Sequence, residues 1–157
     1  MHNIGDLIPH EPPMRLVDEF IAFEDNTVHC RTIVTDGSIF FDKQLEGIPH
    51  WVAVEIMAQT AASYGRAGKL AASDDSTDEP PVAFLLSVRG YKTDVKRYKT
   101  GSVLDIFAEC IILDKGTGVF SCKVLLGQQE VASLTINAYQ PQSFEDVKKL
   151  LVEKYKI

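Results

Sequence analysis

The side chain best suited to chemistry in this sequence is the carboxylate of Glu55. It interrupts the apolar segment 51–58, and its neighbours on a helical surface are mostly apolar. An unpaired buried carboxylate is unfavourable, so we expect it to gain a partner, face a cavity, or have its pKa raised by burial. A carboxyl group that stays partly protonated near neutral pH can act as a general acid. The alternative is a solvated position on the polar side of an amphipathic helix.

A base to act with Glu55 would come from the histidines. His10 lies between prolines that restrict its backbone. His50 occupies the first turn of the expected helix, where the helix dipole favours a neutral imidazole. Either could instead be an ordinary turn or helix-end residue, and His29 is expected to be solvated on the polar face of a strand. Gln59 follows Glu55 by one helical turn and could hydrogen-bond to its carboxyl group, or form an ordinary polar pair.

Composition indicates an ordinary globular protein, with 45% hydrophobic and 24% charged residues in 157. We predict one domain over residues 1–157, in which residues 141–157 form a C-terminal extension. No segment is apolar enough to cross a bilayer, so no membrane insertion is expected, and no signal peptide is visible. The three cysteines have no paired spacing, which favours reduced thiols in the cytoplasm, and the His and Cys spacings build no metal site.

The net charge of −6 is unevenly distributed along the chain. A basic segment near residues 89–99 contains Arg89, Lys92, Lys96, Arg97 and Lys99, opposed by the single acid Asp94. The overall excess of acid argues against nucleic acid as a partner, while the basic segment could receive a small acidic protein or a phosphate group. It could equally be a solvated strand edge whose lysines prevent edge-to-edge pairing.

Hydrophobic periodicity predicts the elements that must position these residues. Strands are predicted over residues 15–23, 27–34, 83–91, 103–113, 119–126 and 130–139. A helix rich in small residues is predicted over 50–70, a polar loop over 74–81, and a short final helix over 145–155 that begins at a Ser143 cap. Turns at 114–116 and 127–129 predict antiparallel hairpins. The fold class is therefore α+β, with one antiparallel sheet wrapped around one central helix.

Two segments together resemble the bacterial 3-hydroxyacyl-(acyl-carrier-protein) dehydratases. Residues 8–18 resemble the Pro-His…Pro-Φ-Φ-Leu-Val-Asp opening of that family (Φ, apolar), and residues 54–59 resemble its central-helix Glu-Ala-Met-Ala-Gln motif. The likeness is closest to the predicted dehydratases of aryl-polyene-type biosynthetic clusters, whose Pro-x-Trp-Val-x-x-Glu helix start is similar to residues 49–55. The resemblance covers residues 4–141. It implies a hotdog fold and a homodimer with active sites at the subunit interface.

The resemblance also implies a reaction. It is the dehydration of a 3-hydroxyacyl thioester, carried on the 4′-phosphopantetheine of an acyl carrier protein, to the 2-enoyl thioester in fatty-acid or polyene-type biosynthesis, without a further cofactor. In the family, a histidine before the helix pairs with the helix glutamate. Phe40 or Phe41 stands in that region here, so we expect His10 to be the base, with His50 as second choice, and Glu55 to be the acid.

The remaining roles follow from the same resemblance. Gln59 would support the acid, and the backbone N–H groups of His50 and Trp51 would bind the thioester oxygen. The residues expected to line an acyl tunnel are Pro9, Phe84, Leu85 and Leu86. The residues expected to dock the carrier protein are Arg89, Lys92, Lys96 and Arg97. Two alternatives are a thioesterase on the same fold and a non-catalytic acyl-binding subunit of a hetero-oligomeric dehydratase.

Overall fold

The computed structural model describes residues 2–74, 82–141 and 143–156. The helices are α1 (Val52–Ala62), α2 (Tyr64–Ala71) and α3 (Phe144–Tyr155), preceded by a short 3₁₀ turn at Ile4–Asp6. The strands are β1 (Glu19–Glu24), β2 (Thr27–Ile33), β3 (Gly47–Pro49), β4 (Phe84–Thr93), β5 (Arg97–Lys99), β6 (Val103–Asp114), β7 (Thr117–Leu126) and β8 (Gln129–Tyr139). Most of the predicted polar loop, residues 75–81, lies outside the described residues.

One antiparallel sheet of six strands, in the order β1-β2-β6-β7-β8-β4, packs against α1. Ala53, Ile56 and Met57 of α1 are fully buried against it. Small side chains such as Ala53 let the helix backbone approach the strands closely. The predicted hotdog architecture, a sheet around a central helix with a short C-terminal helix, is confirmed.

The central helix is not continuous, as the sequence had suggested, but is interrupted at Ser63. Ser63 is buried, and its hydroxyl donates to the Thr60 carbonyl at 2.7 Å. Its backbone N–H is shared between the carbonyls of Gln59 and Thr60. Serine side chains that bond to the backbone in this way compete with the regular helical ladder, so the chain changes from α1 to α2 at this point.

Strand β6 follows the predicted alternation as far as Cys110. Leu104, Ile106 and Ala108 of β6 are buried and alternate with partly exposed residues. Lys115 and Gly116 form the β6–β7 turn, and both have positive φ, as in a type I′ hairpin turn. Continued alternation over the predicted strand 103–113 would place Ile112 on the buried face as well, and this is wrong: the register shifts between Cys110 and Ile112, and Ile112 is exposed. A bulge at this point adds one residue and turns the end of the strand.

Two further features affect the site. A small second sheet, which the sequence did not predict, pairs β3 with β5 and so holds the chain immediately before α1. Strand β4 lies at one edge of the main sheet and, within the described strands, pairs only with β8. Its first residues, Phe84, Leu85 and Leu86, are exposed apolar side chains. Exposed apolar edges of this kind favour pairing with another chain.

Neither a membrane span nor a metal centre is evident in the part of the chain that the structure describes. No helix there is both long enough and apolar enough to cross a bilayer. No group of three or more His, Cys, Asp and Glu side chains there has an arrangement that could hold a metal ion.

Candidate active site

Gln59 determines where the Glu55 carboxyl group lies. Its side chain is 1% exposed, and its Oε1 accepts the backbone N–H of Leu16 at 2.8 Å. Its Nε2 donates to the carbonyl of Met14 at 2.8 Å and to Glu55 Oε1 at 3.0 Å. The orientation of the amide is therefore fixed, because a backbone N–H can only donate and a carbonyl can only accept. One amide thus links α1 to the segment that carries His10.

His10 is brought to the same place by its proline-rich segment. Its Nε2 lies 3.7 Å from Glu55 Oε1, which is beyond a direct hydrogen bond but within reach after a small movement. Its Nδ1 is buried and has no hydrogen-bond partner among the described residues. Buried ring nitrogens normally have a partner, so this atom is an exception that calls for an acceptor or donor from outside those residues.

Glu55 and His10 border a cavity of about 450 Å³ between the helices and one end of the sheet. On the helix side the wall is made of small residues at helical spacing, Ala58, Ala62 and Gly65. The remaining lining residues are Gln59, Ala61, Tyr64, Ala83, Phe84, Leu85, Leu113, Gly116, Gly118, Phe120, Ile136, Ala138, Gln140 and Pro141. The wall is mostly apolar, with the acid, the imidazole and a few amide and hydroxyl groups as its polar contacts, as ligand cavities commonly are.

The carboxyl group is less enclosed than the apolar run around it suggested. The Glu55 side chain is 42% exposed and that of His10 is 31% exposed. The expectation that apolar walls bury Glu55 is therefore wrong for the single chain. The reason is that the face of α1 carrying Ala53, Ile56 and Met57 packs on the sheet, whereas Glu55 faces the cavity.

His50 and Trp51 lie at the start of α1 and do not line the cavity. His50 Nδ1 is 2.9 Å from the hydroxyl of Tyr91, and the two rings stack with their centroids 5.9 Å apart. The His50 N–H, one of the two expected oxyanion donors, donates to the Lys96 carbonyl at 3.2 Å in this structure. The Trp51 N–H has no acceptor among the described residues, and the Trp51 ring contacts Phe40 edge-on at 5.7 Å.

The predicted tunnel residues divide into two groups. Phe84 and Leu85 line the cavity, whereas Pro9 and Leu86 do not. Leu86 falls at the register shift between Leu85 and Ser87 and is 60% exposed. Sequence reasoning missed most of the wall, because its glycines and alanines come from four separate elements (α1, α2, β7 and β8) and from two connecting segments. Only the spacing of small residues on the helix could have indicated it.

The predicted docking residues lie on β4, on β5 and on the turn between them. Arg89, Lys92 and Lys96 are exposed. Arg97 is half-buried on β5, where it stands opposite Pro49, and its Nη1 is buried without a hydrogen-bond partner among the described residues. Lys96 and Arg97 therefore lie beside the start of α1, and none of the four basic residues lines the cavity.

Comparison with known proteins yields one family and several relatives. The family model described as ApeP-like, ApeP dehydratase, matches residues 2–151. The 3-hydroxyacyl-[acyl-carrier-protein] dehydratase FabZ of Chlamydia trachomatis is 27% identical over 134 residues, covering 84% of this chain and 86% of FabZ. The solved dehydratase heterocomplex ApeI:P from Xenorhabdus doucetiae contains a chain that is 27% identical, with a TM-score of 0.82 and coverage of 96% of this chain and 98% of that one.

A more distant likeness is to a hypothetical thioesterase of Streptococcus pneumoniae solved with coenzyme A. Its TM-score is 0.59 at 14% identity, covering 78% of this chain and 84% of that one. This likeness shows a shared fold alone.

Proposed function

The chain belongs to the ApeP-like dehydratase family, and from that premise we propose that it removes water from a 3-hydroxyacyl thioester carried on an acyl carrier protein, giving the 2-enoyl thioester. The observation that carries the proposal is the placement of Glu55, His10 and Gln59 on one wall of a mostly apolar cavity. The relative FabZ supports the same reaction, because it is a 3-hydroxyacyl-[acyl-carrier-protein] dehydratase and its match covers most of this chain.

In the proposed mechanism His10 is the base and Glu55 the acid. The Nε2 of His10 takes the proton from C2, and the electrons move toward the thioester oxygen. Glu55 donates its proton to the C3 hydroxyl, which leaves as water while the C2–C3 double bond forms. Because Glu55 Oε1 already accepts the Gln59 amide, the acidic proton would sit on Oε2. A proton passed from His10 to Glu55 then restores the starting state.

The cavity would hold the acyl chain. Its glycines and alanines leave room for an extended chain, and its mostly apolar wall would pack against the carbons of that chain. The reaction requires no cofactor beyond the 4′-phosphopantetheine that carries the substrate. Arg89, Lys92, Lys96 and Arg97 are proposed to dock the acidic carrier protein in the cytoplasm through complementary charge.

Substitution of the acid tests this proposal. Glu55→Gln keeps the hydrogen bond from Gln59 but cannot donate an acidic proton, so we expect turnover to fall by about 10²–10⁴-fold with the unfolding temperature unchanged. The assay is mass spectrometry of a 3-hydroxyacyl carrier protein, followed for loss of water. Glu11→Gln is the matched control, because Glu11 is an exposed carboxylate that does not line the cavity. Near-full turnover in Glu55→Gln rejects the assignment, and release of free thiol indicates a thioesterase instead.

A second candidate is that the chain acts as one subunit of a hetero-oligomeric dehydratase. The outer edge of β4 has exposed leucines and no partner among the strands that the structure describes, which supports assembly with a second hotdog subunit, either a copy of this chain or a relative. The likeness to a chain of the ApeI:P heterocomplex favours a relative, rather than a copy of this chain, as the second subunit. If the purified chain is inactive and dehydration appears only when a second subunit is added, the hetero-oligomer is favoured. Full activity of the purified homodimer argues against it.

A further inference from the structure

Tyr91 makes two contacts with one residue, His50. Its hydroxyl lies 3.0 Å from the His50 carbonyl oxygen and 2.9 Å from His50 Nδ1. A carbonyl can only accept, so the single hydroxyl proton of Tyr91 goes to that oxygen. The contact with Nδ1 then requires the proton to be on Nδ1. The two contacts together therefore favour the tautomer of His50 that is protonated at Nδ1.

The carbonyl that Tyr91 binds belongs to the same peptide unit as the Trp51 N–H. A trans peptide is planar, so fixing the direction of its C=O also fixes the direction of its N–H. The Ala53 N–H donates to the same carbonyl at 3.1 Å, which adds a second constraint. Two donors on one carbonyl also polarise the peptide, and chained hydrogen bonds of this kind strengthen the N–H at the other end.

The Trp51 N–H is the donor whose direction and strength these contacts affect. It has no acceptor among the described residues, whereas the His50 N–H is already bound to Lys96. Trp51 precedes Glu55 by one helical turn, so both residues lie on the same face of the helix.

We propose that Tyr91 is a positioning residue: it orients the peptide between His50 and Trp51 so that the Trp51 N–H binds the thioester oxygen as negative charge develops there. This inference rests on the proposed dehydration. Burial raises the pKa of Tyr91, which keeps its hydroxyl protonated as a donor. Tyr91 stands on β4, the strand whose first residues line the cavity, so the cavity wall and the helix start are held by one element.

The test compares two identical chemical changes. Tyr91→Phe removes the hydroxyl that binds His50. Tyr98→Phe removes a hydroxyl that is buried, in a residue 1% exposed, and that has no partner among the described residues. We expect Tyr91→Phe to lower kcat by roughly 2- to 10-fold, the loss typical of one neutral hydrogen bond, with KM nearly unchanged. Tyr98→Phe should leave kcat and KM as they are. Unchanged kcat in Tyr91→Phe, or equal losses in both variants, overturns the proposal.

Nitrogen NMR of the imidazole gives a readout that does not depend on turnover. In the unsubstituted protein the shifts of His50 should show protonation at Nδ1 and a free lone pair at Nε2, and Tyr91→Phe should shift the balance toward the other tautomer. A ring protonated at Nε2 in the unsubstituted protein overturns the proposal even if the enzyme is active. If the unsubstituted protein shows no dehydration, alone or with a second subunit, the proposed function is refuted. The NMR result still decides whether Tyr91 orients the peptide between His50 and Trp51.

Discussion

Replacing Gln59 with leucine removes the link between the two halves of the site. The side chain of Gln59 is buried, and its amide bonds to Leu16, Met14 and Glu55. Leucine has a similar volume and keeps the apolar contacts of α1, but it makes none of the three hydrogen bonds. The segment that carries His10 then loses its attachment to the helix that carries Glu55.

The expected loss of stability depends on which backbone groups lose their hydrogen-bond partner. The Leu16 N–H is buried, and an unsatisfied buried donor destabilises by about 1–3 kcal/mol. The Met14 carbonyl is only partly buried, so water can replace the amide and the loss there is at the low end of that range. We expect Gln59→Leu to lower the free energy of unfolding by about 2–3 kcal/mol in total. For a chain of this length that corresponds to a fall of roughly 4–12 °C in the unfolding temperature.

Thr60→Val is the matched control. Thr60 is the next residue and equally buried, but its hydroxyl donates within the helix, to the Ile56 carbonyl at 3.0 Å. In denaturant unfolding, the midpoint should fall clearly more for Gln59→Leu than for Thr60→Val, while the dependence of the unfolding free energy on denaturant stays the same. Turnover should fall as well in Gln59→Leu, because His10 is no longer held near Glu55. Equal stability of the two variants, with turnover retained, would refute the reasoning.

Two further predictions concern the sheet. Burial alone would raise the pKa of Asp105, but hydrogen bonds from His29 and Arg31 bring this pKa below its usual range. The stability that Asp105 contributes is therefore present above about pH 4, and it is lost as the pH falls through the pKa that Asp105 has in the folded protein. Asp105→Asn should therefore be less stable than the unsubstituted protein at pH 7, and the denaturant midpoints of the two proteins should approach each other as the pH falls through the folded pKa of Asp105. A difference that stays constant with pH contradicts this. Gly116 and Gly101 both have positive φ, but only at Gly116 would an added Cβ meet a backbone oxygen, at 2.5 Å. Gly116→Ala should thus lose more stability than Gly101→Ala, and similar unfolding temperatures for the two would count against that collision.

The elements of the sheet could be predicted because their residues alternate. Leu104, Ile106 and Ala108 show the pattern directly, and their burial follows from it. The register shift after Cys110 could not be predicted, since Ile111, Ile112 and Leu113 are all apolar and satisfy either register. The interruption at Ser63 also has no local pattern, because it depends on one buried hydroxyl bonding to the backbone.

In the candidate site too, a contact between residues close in sequence could be predicted, whereas contacts between residues far apart in sequence could not. Glu55 and Gln59 stand one helical turn apart, so their hydrogen bond could be predicted from spacing. The bonds of Gln59 to Leu16 and Met14 join distant parts of the chain, and no periodicity indicates them. His29 illustrates the opposite error: it stands on a polar strand face and was expected in solvent, but it bonds to Asp105 across the β2–β6 pair at 2.8 Å.

The strand that would join a second subunit is also the strand that closes the cavity. Phe84 and Leu85 line the cavity and, at the same time, lie on a sheet edge that has no further partner among the described strands. Glu55 remains 42% exposed in the single chain. Exclusion of water strengthens the electrostatic interactions on which an acid and a base depend. A subunit that pairs with β4 would cover this end of the cavity, so assembly and acid–base chemistry would be coupled through one strand.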